Sequence, residues 1–186
     1  GIEPKLLEWH KDFKGVRSEV KNGWVFPAFY GSSIGSIIFN MQLPVNPAKA
    51  LFKEFWREFK GIKRWQQQVW EAYQHDGCVW SLTGRRRLAP LSFNMTVNTP
   101  VQCTASDITV DAMVRLTNIA LKKRMPWLIP VLQIHDDLTF LVPDEELEDA
   151  IKIIVREQLA FKAPWVNVPL SVKVEKGRNM LDMELV

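Results

Sequence analysis

Asp136 and Asp137 stand side by side in LQIHDDLTFLV (132–142), an otherwise apolar stretch, directly after His135. Adjacent carboxylates repel, and an ionised carboxylate among apolar neighbours is costly unless a cation or a donor compensates it. Regular strand alternation would put Leu132, Ile134, Asp136, Leu138 and Phe140 on one face. Gln133, His135, Asp137, Thr139 and Leu141 would then share the other face. A turn at His135-Asp136 instead projects both acids from the tip of a hairpin. There they can share a hard cation. Mg²⁺ suits so small a ligand set, because it takes one or two carboxylates together with water and substrate phosphates. A plain polar turn is the other reading, and these three residues by themselves leave both open.

The elements that must position the acids are legible in the apolar spacing. A helical pattern over 5–30 ends at Gly31, Ser32, Ser33 and Gly35, residues that break helices. Asn46-Pro47 then opens one long helix, which Asp76-Gly77 ends. Its apolar stripe is Leu51, Phe55, Trp56, Phe59, Ile62, Trp65 and Val69, while Lys53, Arg57, Lys60, Lys63 and Arg64 occupy the other face. Short strands follow around a turn at Gly84. The next helix covers 98–121, with Pro100 in its first turn and Ile108, Ala112, Leu116 and Ala120 along one face. After the hairpin, Pro143 and the acids Asp144, Glu145 and Glu146 start a helix whose buried stripe is Leu147, Ile151, Ile154, Val155 and Leu159. VPLSVKV (168–174) alternates apolar and polar residues and reads as a last strand. The expected class is α+β, an antiparallel sheet with helices packed on one face.

Composition bounds the function classes. The chain has 186 residues, 47% of them hydrophobic and 24% charged, a balance that excludes disorder. A net charge of +3 permits a nucleic-acid partner only through a local basic surface. Eight tryptophans point to extensive packing or stacking surfaces. Cys78 and Cys103 do not make a disulfide framework. No stretch approaches the roughly 20 apolar residues of a membrane span. The expected setting is therefore soluble and cytoplasmic, without a membrane partner.

Three further stretches, in order along the chain, stand with the hairpin. VRSEVKNGWVFPAFYG (16–31) resembles the motif B helix of family A DNA polymerases, the bacterial polymerase I group. TGRRRLAPLSFNMTVNTPVQCTASD (83–107) resembles the stretch of that family that reaches the primer–template minor groove. LQIHDDLTF resembles motif C, with Asp137 where the family commonly has Glu, and VPLSVKVEKGRNM resembles its last strand. The FP-x-FYG form of motif B is closer to phage-type members. The resemblance covers nearly the whole chain. It implies a palm-type antiparallel sheet with packed helices, plus part of a helical fingers subdomain. The division would be 1–76 fingers-like with motif B and 77–186 palm-like with motif C.

The resemblance also implies the chemistry: a DNA-directed DNA polymerase adding dNTP to a primer 3′ end with two Mg²⁺ ions, in a bacterium or a phage-infected host. Asp136 is then the metal ligand, and Asp137 a helper beside it. His135 supports the primer terminus. Arg17 and Lys21, four apart on one helical face, grip the triphosphate, with Lys21 as the cation on the leaving group. Phe26 and Tyr30, also four apart, stack around the incoming base and sugar. Asn98 and Gln102 test pair geometry through the minor groove, where every correct pair offers acceptors. The family's arginine one turn earlier is Asn94 here, so that contact is weakened or absent. Arg85, Arg86 and Arg87 are candidates for backbone phosphates.

Two departures carry expectations. Lys21 to Tyr30 spans nine positions, one more than the common family spacing. In a regular helix the five steps from Lys21 to Phe26 would turn the side chain about 140° away, so a one-residue bulge near Gly23–Phe26 is expected. Motif A, with the second metal-binding aspartate, has no counterpart in residues 1–16. The chain alone is therefore expected to be inactive and to aggregate easily. Its partner would be an N-terminal segment or a second chain carrying motif A, the thumb and the remaining fingers. The alternatives are a non-catalytic DNA-binding scaffold that retains the palm, and a single-subunit RNA polymerase or reverse transcriptase.

Overall fold

The computed structural model describes residues 13–186. The part of the expected first helix over 5–12 lies outside the described residues. The chain divides into two compact units, 1–102 and 103–186.

The first unit opens with α1 (Phe13–Val20), which runs through a π turn at Lys21–Val25 into α2 (Phe26–Phe29). The N–H of Phe26 donates to the carbonyl of Lys21, five residues back, so the expected bulge is present and absorbs the extra residue. A Schellman motif ends α2. Ser32 N–H donates to Pro27 O at 2.8 Å, and Gly31 N–H donates to Ala28 O at 3.1 Å. Gly31 stands at φ +86°. Ser33 then caps α3 (Ile34–Met41), its hydroxyl accepting from Ser36 N–H at 3.1 Å.

The expected single helix from Asn46 to Asp76 is two, α4 (Val45–Glu58) and α5 (Lys60–Asp76). Phe59 leaves helical geometry between them, at φ −98° and ψ 35°. Gly61 weakens the helix just beyond. The ring of Phe59 packs 4.8 Å from Phe55 and 5.4 Å from Phe29, so aromatic packing outweighs the periodicity that suggested continuity. Trp24, Ala28, Ile37 and Ala48 form the buried core of this unit, with Phe52, Phe55 and Trp56 against it. The motif B helix is thus clamped by its own buried Trp24 and by α4.

β1 (Cys78–Trp80) and β2 (Arg86–Leu88) make an antiparallel ribbon that turns at Gly84. α6 (Phe93–Lys123) starts before the expected residue 98, because Ser92 caps it, accepting from Met95 N–H at 3.3 Å. Pro100 is therefore inside the helix and not in its first turn. The side chains of Thr96 and Thr99 donate to the carbonyls of Ser92 and Met95 nearby. Such back-bonding commonly bends a helix.

In the second unit, β3 (Leu132–Ile134) pairs antiparallel with β4 (Asp137–Thr139), followed by α7 (Leu147–Leu159). Leu116, Ala120 and Leu128 form the core, and Leu138 and Phe140 from the hairpin pack on it beside Ile153 and Ile154. Buried Glu157 of α7 receives Arg115 at 3.3 Å and Arg156 at 2.9 Å. The expected last strand over 168–174 does not form. Leu170, Val172 and Val174 are half-buried while Ser171 and Lys173 are exposed, so the alternation holds over 170–174, but Val168 is exposed. A strand also requires a neighbour for its backbone groups. Pairing starts only at β5 (Glu175–Lys176) with β6 (Glu184–Leu185). The class is α+β, with three two-stranded antiparallel ribbons among the described residues in place of one sheet.

Candidate active site

Lys21, Phe26 and Tyr30 of motif B meet on one surface of the first unit. Lys21 lies at the start of the π turn, and its Nζ stands 5.4 Å from the ring centre of Phe26, a cation–π contact. A straight helix would have turned these two apart. The ring of Phe26 is 5.9 Å from that of Tyr30. Gln102 Nε2, on α6, donates to Tyr30 Oη at 2.8 Å. A cation, two aromatic rings and an amide from separate stretches of sequence are therefore contiguous. Arg17 is exposed on α1.

Asn98 and Gln102 are not equivalent. Gln102 is exposed, whereas the Oδ1 of Asn98 is buried with no hydrogen-bond partner. Among the arginines, Arg87 Nη1 donates to Thr99 Oγ1 at 3.2 Å and ties the ribbon to α6. Arg86 lies over Trp80 at 5.6 Å. Arg85 is exposed, its backbone N–H held by Ser81 Oγ at 2.9 Å. Asn94, in the place of the family's arginine, is exposed.

In the second unit, Ile134 pairs with Asp137, leaving His135 and Asp136 as a two-residue turn. His135, Asp136 and Asp137 are all exposed at its tip. His135 stands at φ 55°, a left-handed position that glycine usually fills in such turns. Gln133 Nε2 donates to the His135 carbonyl at 3.3 Å and braces the turn. Neither aspartate takes part in an ion pair among the described residues, and carboxylate oxygens are the ligand type that Mg²⁺ takes. No group of three or more metal-ligating side chains exists among the described residues.

Sequence reasoning missed Gln66. It falls on the apolar stripe of α5 beside Trp65, and it is buried. Its Nε2 donates to the carbonyls of Phe29 at 2.7 Å and Ala28 at 3.1 Å, at the end of α2. A polar residue inside an apolar stripe was the available signal.

Residues 10–182 match DNA polymerase family A. The chain belongs to that family. It is 31% identical over 173 residues to the thermostable DNA polymerase I of Thermus filiformis, a match covering 84% of this chain and 20% of that protein. It is 29% identical to DNA polymerase I of Chloroflexus aurantiacus over 98% of this chain and again 20% of the relative. The chain thus spans about one fifth of the length of these family A relatives. In fold it is similar to the POL domain of Pol1 from M. smegmatis, solved in complex with DNA primer-template and dNTP. There the TM-score is 0.70 at 22% identity, over 81% of this chain and 28% of that one. No helix among the described residues is long and apolar enough to cross a membrane.

Proposed function

We propose that this family A chain supplies the nucleotide-facing helix and the metal-facing hairpin of a template-directed DNA polymerase, which joins a dNTP to a primer 3′ end. The observation that carries the reading is the contiguity of Lys21, Phe26, Tyr30 and Gln102. Lys21 places a cation where a triphosphate would be gripped, with Arg17 one turn before it on the same helix. Phe26 and Tyr30 offer ring faces to an incoming base and sugar. Gln102 is an exposed amide suited to minor-groove acceptors. Asn98, with its buried acceptor, would use only its amino group. Arg85, Arg86 and Arg87 are the candidates for backbone phosphates.

Asp136 would hold Mg²⁺, with Asp137 a helper beside it and His135 beside the primer terminus. Bound there, the ion supplies Lewis-acid stabilisation of the oxygens that gain charge during transfer. Two carboxylates leave such an ion short of protein ligands, so we assign the remaining acid, and a place for a second Mg²⁺, to another segment that carries motif A. That segment belongs to the same polypeptide or to a second chain, and without it the chain does not turn over. Primer–template DNA and dNTP are the partners.

Asp136→Ala tests the reading in the complete polymerase. Loss of a metal ligand worth several kcal/mol should cut the primer-extension rate about 10³-fold or more while DNA binding persists. Unchanged extension would favour a non-catalytic scaffold. Preferential use of ribonucleotides by the parent would favour an RNA polymerase.

A further inference from the structure

We propose that Gln66 is a positioning residue for Tyr30, holding that ring in place for the incoming nucleotide. The inference rests on the polymerase reading above and assigns a role to a residue outside both motifs. The last four carbonyls of a helix lack partners within it. Here the backbone serves three of them. Phe26 O receives Tyr30 N–H at 2.8 Å, Pro27 O receives Ser32 N–H, and Ala28 O receives Gly31 N–H. The carbonyl of Phe29, in the peptide that leads into Tyr30, is taken by Gln66 at 2.7 Å, and the same amide reaches Ala28 O at 3.1 Å. Both partners are acceptors, so the NH₂ of Gln66 must face them and both of its hydrogens are used. With Gln66 only 5% exposed, water does not replace these bonds readily.

The geometry explains why an outside anchor is needed. α2 is the last turn of the motif B helix, beyond the π turn, where the terminal carbonyls have no further turn to serve them. Gln66 comes from the middle of α5, a helix of 17 residues. Rotation of the Phe29–Tyr30 peptide would swing the Tyr30 ring away from Phe26 and its hydroxyl away from Gln102. Gln66 opposes that rotation through the two carbonyls it holds.

Gln66→Met keeps the length and removes the donors. Gln66→Glu places a carboxylate against two carbonyls. In single-nucleotide extension by the complete polymerase, Gln66→Met should raise the dNTP KM about tenfold, with kcat and primer–template affinity nearly unchanged. Gln66→Glu should be worse at pH 8 and recover as pH falls. Burial raises the pKa of the substituted carboxyl, and its protonated form donates one bond again. A purely structural role would move the melting midpoint and kcat along with it, whereas positioning of Tyr30 confines the recovery to the dNTP KM. A dNTP KM within twofold of the parent for Gln66→Met would overturn the proposal. So would a joint collapse of kcat, KM and DNA affinity with the melting midpoint.

Amide hydrogen exchange provides an arm independent of catalysis. Gln66→Met should quicken exchange at Tyr30, Gly31 and Ser32 alone; uniform quickening, or none, counts against the role. If the parent does not extend primers, or Asp136→Ala leaves extension intact, the polymerase reading is what fails, and exchange still decides whether Gln66 holds Tyr30.

Discussion

Gly31 follows Tyr30 at φ +86°, and a Cβ there would come within 2.7 Å of the Phe93 ring. That ring cannot retreat freely, because it packs 5.5 Å from Trp70. Gly31→Ala should therefore destabilise the first unit by about 1–3 kcal/mol, read from urea unfolding followed by tryptophan fluorescence. His135 presents the converse case, since it holds a left-handed turn position at φ 55° where glycine would be relaxed. Histidine is nevertheless among the non-glycine residues enriched in that conformation. The Tyr-Gly pair and the His-Asp-Asp turn were readable from residue types and neighbours. Gln66 was legible only as a polar residue inside an apolar stripe; its partners were not, because the α2 carbonyls lie 37 and 38 residues away.

Among the elements, the π turn at Lys21–Val25 shows how a spacing mismatch becomes geometry. The extra position between Lys21 and Tyr30 would disrupt the shared face of a regular helix, and a wider turn recovers it. Deleting exposed Asn22 removes one residue from that turn and should leave a plain α-helix. Far-UV circular dichroism and the melting midpoint should then stay close to the parent, with dNTP affinity retained. Inserting an alanine after Asn22 should instead rotate Arg17 and Lys21 about 100° from Phe26 and abolish nucleotide binding. The helix over 46–76 failed as one element for a different reason. Its periodicity is continuous, but the Phe59 ring gains more from Phe29 and Phe55 than from staying in register. The last strand failed because alternation reports a half-buried surface, whereas a ladder depends on a neighbour that periodicity does not specify.

At the level of the whole molecule, the proposed reading turns on ligand count. The described residues bring two exposed carboxylates to one hairpin and no cluster of three metal-ligating groups. The chain alone should thus show no Mg²⁺-dependent primer extension above background, and adding a segment with a motif A aspartate should restore it. Full extension by the homogeneous chain would refute that division of labour. Phe39, Leu121 and Leu141 are exposed, so light scattering of the isolated chain should rise with concentration. The helix ends at Gly31 and Gly77, the ribbon around Gly84, the hairpin, the helix after Pro143 and the bulge in motif B followed from sequence, since each depends on residues within a few positions of one another. Tertiary structure alone decided the break at Phe59, the burial of Glu157 between arginines, the anchoring of α2 by Gln66 and the pairing of Tyr30 with Gln102 across 72 residues. Those outcomes compare contacts between distant parts of the chain, where packing and hydrogen-bond satisfaction outweigh the weak local preferences that spacing records.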